Sequence, residues 1–164
     1  MALAAKGLEG IIANESKLSN VQGLEGKLCY LGYTIDELVK HTSFEEVIYL
    51  LHNGKLPNRS ELDGLISKLK ADRNLPDGII DFLKNAPKDA GPMDVIRTGV
   101  SMMGLYDTKG DHQNRNLNED RAIAIIAKIP LIVAAFHRFR QGLEIVEPRE
   151  DLSEAAHFLY LING

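Results

Sequence analysis

The chain has 164 residues, 45% of them hydrophobic and 26% charged, with a formal net charge of −4 at pH 7. That balance fits one soluble globular domain with a core of its own and excludes a disordered chain. It also argues against non-specific binding to nucleic acid or to an anionic membrane, both of which need a basic footprint, while a few local Arg residues are enough to hold a small anionic substrate.

Cys29 is the one cysteine, so no internal disulfide is possible and a reducing compartment is the simpler reading. Between apolar neighbours in GKLCYLGY it reads as a small buried hydrophobe. The opening MALAAKGLEG is too short and too weakly apolar for a signal peptide. The longest apolar run, AIAIIAKIPLIVAAF, falls short of a membrane span and carries Lys128 and Pro130, so it reads as a buried core or interface helix. The expected location is cytoplasmic.

In chain order, EGIIANES (9–16) and GKLCYL (26–31) flank a segment containing Gly and Asn and read as a short hairpin or extended arm. Helices follow. Thr34 with Glu37 forms a capping box for IDELVKH, and Ser43 with Glu46 forms another for FEEVIYLLHN, which Gly54 closes. The apolar positions of the second helix are Phe44, Val47, Ile48, Leu50 and Leu51. KLPN is a turn. In SELDGLISKLKADR, Leu62, Leu65, Ile66 and Leu69 make an amphipathic stripe. Pro76 opens DGIIDFLKNA and Pro87 ends it.

Pro92 sits in the first turn of PMDVIRTGVSMMG, where Ile96, Gly99, Val100 and Met103 share a face and the small Gly99 and Ser101 let another helix come close. LYDTKGDHQNRNLNED is a polar surface loop. A long apolar helix runs from about Glu119 to Phe139, with Pro130 expected to kink or break it. EIVEPRED reads as a solvated charge run. In DLSEAAHFLYLING, Ser153 is an N-cap, Leu152, Ala155, Ala156, Leu159 and Ile162 recur at helical spacing, and Gly164 stands at the closing left-handed position. The class is all-α with a small N-terminal β element, without internal repeats.

Few residues carry obvious chemistry. The five histidines are His41, His52, His112, His137 and His157, and no two have metal-ligand spacing. With one Cys, zinc-type clusters are excluded, and no GxSxG, GxxxxGK[ST] or GxGxxG occurs. His41 and His52 fall near helix C-termini, where a cation is favoured. His112 lies in the polar loop and is expected to be exposed. His137, beside Arg138 and Arg140, is either part of an anion site or an ordinary basic last turn. His157, on an apolar helix, reads as a satisfied core histidine.

The ordered string of segments is more telling. GLEGIIANESKLSNVQGLEGKLCYLGYTIDELVKHTSFEEVIYLLHNGKLP resembles the opening of the bacterial and archaeal citrate synthases, LKNAPKDAGPMDVIRTGVSMMG resembles their LPkdaHPMdvLRTaVSxLG, and IAKIPLIVAAFHRFRQGLEIVEPREDLSEAAHFLYLING resembles their IAKiPtivAaxyRyrxGxxxxxPxxdLShAaNFLYMLxG. The resemblance covers essentially the whole chain. It implies the N-terminal portion of the family's large helical domain over 1–164, with the small CoA-binding domain absent. It implies an acyltransferase that condenses acetyl-CoA with oxaloacetate to citrate in the tricarboxylic acid cycle, with no cofactor beyond these substrates.

The family's chemistry uses two His and an Asp in motifs resembling DHExNaS, GPxHGGAN and GFGHRVYxxxDPR. None occurs here, so no catalytic, substrate-binding or metal residue is assigned in this chain, and alone it is expected to be inactive. The ending HFLYLING, abrupt after an apolar stretch, reads as a cut. Gly91 stands where the family has His before Pro-Met, Glu154 where it has His after Leu-Ser, and Leu31 where it has Arg in Tyr-Arg-Gly; Arg97 matches its Leu-Arg-Thr. These departures leave open a 2-methylcitrate synthase, a citryl-CoA-cleaving relative, or a non-catalytic paralogue that dimerises with or complements a full-length synthase. The family further implies a homodimer through the helices around 92–104 and 119–139, where Gly99, Ala122, Ala124 and Ala127 allow close contact.

Overall fold

The structure, a computed structural model, describes residues 15–108, 110 and 113–164. It contains two compact units, one up to Asn58 and the other Arg59–Gly164, divided at the KLPN turn.

The first unit pairs three short antiparallel strands in the order β1 (Ser19–Gln22), β2 (Lys27–Tyr30), β3 (Tyr33–Thr34), with Ser19 opposite Tyr30 and Cys29 opposite Thr34. The strand expected at 26–31 is β2. Its partner on the N-terminal side is β1, inside the stretch expected to be a connector; residues 9–14 of the element expected at 9–16 lie outside the described residues. The turn chemistry explains the difference. The N–H of Glu25 donates to the Gln22 carbonyl at 3.1 Å and Gly26 adopts φ +65°, so the turn engages the residues directly before it. Between β2 and β3, Leu31 and Gly32 both have positive φ, 49° and 92°, as a two-residue hairpin turn requires.

Helices α1 (Ile35–His41) and α2 (Phe44–Asn53) begin at the two expected capping boxes. Thr34 Oγ1 accepts from the Glu37 N–H while the Glu37 carboxylate accepts from the Thr34 N–H at 2.9 Å; Ser43 and Glu46 do the same, at 3.2 and 2.7 Å. Gly54, at φ +77°, closes α2.

Among the described residues the second unit has five α-helices, α3 (Arg59–Ala71), α4 (Asp77–Asn85), α5 (Pro92–Met103), α6 (Arg115–Arg140) and α7 (Glu154–Asn163), with a short 3-10 turn, Gly104–Tyr106, after α5. α6 is the hub, packing against the other four. Ile79 and Leu83 of α4, Val95 of α5, and Ile132, Ala135 and Phe136 of α6 form the main core. Gly99 does bring a helix close, namely α6 of the same chain: a Cβ on Gly99 would meet two Ile132 side-chain carbons at 3.2 Å.

α6 is longer than its apolar run. It starts at Arg115 because the Asn114 side chain accepts from the N–H groups of Asn116 and Leu117, and it continues through Pro130 without a break. The packing of Leu131, Ile132 and Ala134 to Phe136 outweighs the one backbone bond that Pro130 removes. By length and composition α6 could cross a membrane; its packing identifies it as a core helix.

α7 begins at Ser153 and closes at Gly164, φ +98°, as the sequence indicates, but its inward face is rotated from the expected one. Glu154, His157 and Leu161 are buried, while Leu159 is 60% exposed. The cause is a charge partner that hydrophobic spacing does not register.

Candidate functional site

That partner is Arg73, in the turn between α3 and α4 and only 5% exposed. Its guanidinium is fully employed across the fold. Nη2 and Nε donate to Glu154 Oε1 at 2.6 and 3.2 Å, Nη1 donates to the Arg149 carbonyl at 2.5 Å, and Nη2 also donates to the Leu152 carbonyl at 2.9 Å. One side chain thereby fixes the connector 141–153 and the first turn of α7. The run EIVEPRED, expected to be wholly solvated, is therefore anchored: Arg149 supplies a carbonyl to Arg73 and Val146 packs on Leu131, Ala134 and Leu161. Its charges do face solvent, and Arg149 pairs with Asp151, whose carboxyl this hydrogen bond holds below the usual range.

His157 lies one turn after Glu154. It is buried as expected, at 0% exposure, but it is not satisfied: neither ring nitrogen has a hydrogen-bond partner among the described residues. Burial, with Arg73 adding its positive charge, pushes the imidazole down to about 4.

At the other end of α7, Arg138 Nη1 donates to the Ile162 carbonyl at 3.2 Å and Nε donates to the Glu144 carbonyl at 2.6 Å. Arg140 stacks over the Phe136 ring at 5.3 Å, and Gln141 donates to His137 at 3.1 Å. Of the two readings of this basic turn, the structural one fits: Arg138 is committed to backbone carbonyls and Arg140 to an aromatic face. Beside Arg138, a cleft of about 370 Å³ opens beneath the connector, with Leu75, Leu131 and Val146 on its walls and Lys70, Glu147 and Glu150 among its lining.

A larger cleft, about 480 Å³, lies where α5 and α6 meet. Its apolar lining includes Val100, Met103, Ile123 and Ala124, and three ion pairs contribute the polar part: Lys68 with Asp120 at 3.0 Å, Lys128 with Asp72 at 2.9 Å, and Arg121 with Asp107. Lys128 also donates to the Asp72 carbonyl at 2.7 Å, tying α6 to the end of α3. With its charges matched in pairs, this surface suits a largely neutral, apolar contact.

The remaining singled-out residues are not brought together. Gly91 is the N-cap of α5 with no side-chain cap, and Arg97 is exposed and paired with Asp94 at 2.7 Å. Cys29 is half-buried on β2, and His41 and His52 are exposed in the last turns of α1 and α2. His112 lies outside the described residues. No cluster of three or more potential metal ligands occurs among the described residues. Arg73 sits in no motif, and Lys128, although inside the IAKIP segment, has no sequence signal for its partner; only the tertiary contacts reveal their roles.

A family model described as "Citrate synthase, C-terminal domain" matches residues 7–164. The citrate synthase of Haloferax volcanii is 45% identical over 97% of this chain, and the 2-methylcitrate synthase 1 of Corynebacterium glutamicum is 37% identical, also over 97%. In both cases the chain spans 43% or less of the relative's length. The crystal structure of citrate synthase from Pyrobaculum aerophilum superposes with a TM-score of 0.87 at 35% identity, covering 96% of this chain and 41% of that one.

Proposed function

This chain belongs to the citrate synthase family, and from that premise we propose that it is the N-terminal portion of the large helical domain of an acyltransferase joining acetyl-CoA, oxaloacetate and water into citrate and free CoA. The observation that carries the reading is 45% identity to a citrate synthase over 97% of the chain. In this reading the chain supplies framework. The family's two His and one Asp, which polarise the reacting carbonyls and remove the methyl proton, belong to segments with no counterpart here.

The same reading includes a cytoplasmic homodimer through α5 and α6. Its support is Ile125, Ile126, Ile129 and Val133, which share one side of α6 and are only partly buried in this chain. Ile125→Asp should convert the dimer to monomer or insoluble protein in light scattering; an unchanged soluble dimer refutes this interface.

A second acyl substrate is favoured by a specific observation, the 37% identity to a 2-methylcitrate synthase. Both are tested by following free thiol release from acetyl-CoA and propionyl-CoA with oxaloacetate, using the complete gene product. Faster release from acetyl-CoA supports the citrate reading, and faster release from propionyl-CoA the 2-methylcitrate one. No release from either leaves the non-catalytic paralogue, which predicts heterodimers with a full-length synthase.

A further inference from the structure

α7 packs along α6 and is tied at both ends. Glu154 is tied to Arg73 at one end, Arg138 holds the Ile162 carbonyl at the other, and Leu161 packs on Leu131 and Ala134. Between these anchors lies His157, enclosed completely and without a hydrogen-bond partner for either nitrogen among the described residues. A neutral imidazole carries one donor and one acceptor, and enclosing both unmet already costs stability. A protonated ring would add a second unmet donor and a full charge.

The surroundings offer that charge no relief. Arg73, from the α3–α4 turn, repels it, and Asp72, beside Arg73 in sequence, is taken by Lys128. On α7 itself, Glu154 is committed to Arg73 and Tyr160 is the face under Arg149. α6 contributes the cations Lys128, Arg138 and Arg140 and the exposed His137. In the connector, Asp151 pairs with Arg149, and Glu147 and Glu150 are exposed.

We propose that His157 is a proton-sensitive latch: the docking of α7 on α6 requires the neutral ring, and taking up one proton releases the helix with its connector. This inference goes beyond the catalytic reading and does not depend on it. The sign follows from linkage. The buried ring binds its proton only near 4, while the released ring has the ordinary value of 6.5, so the released state takes up protons first as pH falls. The stability of docking is unaffected above pH 6.5 and falls progressively between pH 6.5 and 4. At pH 5 these two values correspond to an increase of about 30-fold in the population with α7 released, relative to pH 7.5.

The test is amide hydrogen exchange on the complete gene product at pH 7.5 and pH 5, corrected for intrinsic exchange rates. α4, which also packs on α6, is the internal reference. The expected result is that protection across 154–163 falls about 30-fold more than across α4, and that His157→Leu abolishes the excess. An equal loss in α4 and α7, or an excess that persists in H157L, overturns the proposal. If H157L does not fold, NMR titration of His157 in the unaltered protein decides: a value near 4 supports the latch, and an ordinary value near 6.5 overturns it.

Discussion

Each of the two units is held together internally, by interactions of opposite range. From β1 to α2, the polar bonds that set element boundaries span three or four residues: Thr34 with Glu37, Ser43 with Glu46, the Thr42 hydroxyl with the Leu38 carbonyl. From α3 to α7, the decisive ones span most of the unit: Arg73 reaches Glu154, 81 residues on, and Lys128 reaches back 56 residues to Asp72. The first arrangement places helix ends without specifying what the helices pack on. The second specifies which helix faces inward, at the cost of burying charge.

The largest effect should come from cutting the longest tie. Arg73→Ala leaves the Glu154 carboxylate buried, together with two carbonyls that lose their donor. Breaking a buried pair from one side costs about 3–5 kcal/mol, so the urea midpoint of the second unit should fall sharply. Replacing both partners, Arg73→Met with Glu154→Leu, should lose much less, since an apolar pair of similar volume leaves no stranded charge. If the single and double variants are equally damaged, the pair is not what holds α7, and the contrast between the units fails.

A middle-sized effect sharpens the comparison within the second unit. Gly99 sits where Ile132 of α6 leaves only 3.2 Å to a Cβ. Gly99→Ala gains about 1 kcal/mol in helix propensity and loses a comparable amount to that contact, so it should be nearly silent. Gly99→Val has no room for its two γ carbons and should cost about 1–3 kcal/mol of overpacking in thermal unfolding. A silent valine variant would mean that α5 and α6 are less closely joined than the Ile132 contact indicates.

The same division of range explains what was legible in the sequence. Both capping boxes, the Gly54 and Gly164 closures, and the proline boundaries at Pro76, Pro87 and Pro92 were readable because their signals lie within a few residues of the structure they set. The inward face of α7 was not. Apolar spacing pointed to Leu152, Ala155, Ala156, Leu159 and Ile162, whereas Arg73 draws Glu154 inward and rotates the helix so that Leu161 and not Leu159 is buried. No local pattern around Arg73 announces a partner 81 residues away. The start of α6 differs for a smaller reason: the Asn114 cap is a local signal, but it lies inside a stretch whose composition is that of a polar loop. Glu154 stands out in the sequence only through the resemblance, as a departure from the family's usual His. The structure turns that departure into a contact, since an anion at this position is what Arg73 engages.

The smallest effect tests the local side of the comparison. Ser43→Ala removes one acceptor for an N-terminal amide of α2 and should cost about 1 kcal/mol. Glu37 adds a pH handle that needs no substitution. The Thr34 hydroxyl and backbone N–H both donate to its carboxylate and hold its pKa below the ordinary value. For a carboxyl lowered by folding, the stabilising contribution is complete above the unfolded value and disappears as pH falls through the folded one. α1 should therefore fray on acidification below about pH 4, seen as faster amide exchange in its first turn, with little change in the β2–β3 turn. Glu37→Gln keeps an acceptor for the Thr34 N–H while removing the titration, so its first turn should exchange with no acid-dependent step. A step that survives in E37Q would assign the fraying to another group and leave the capping box without an electrostatic share in the helix start.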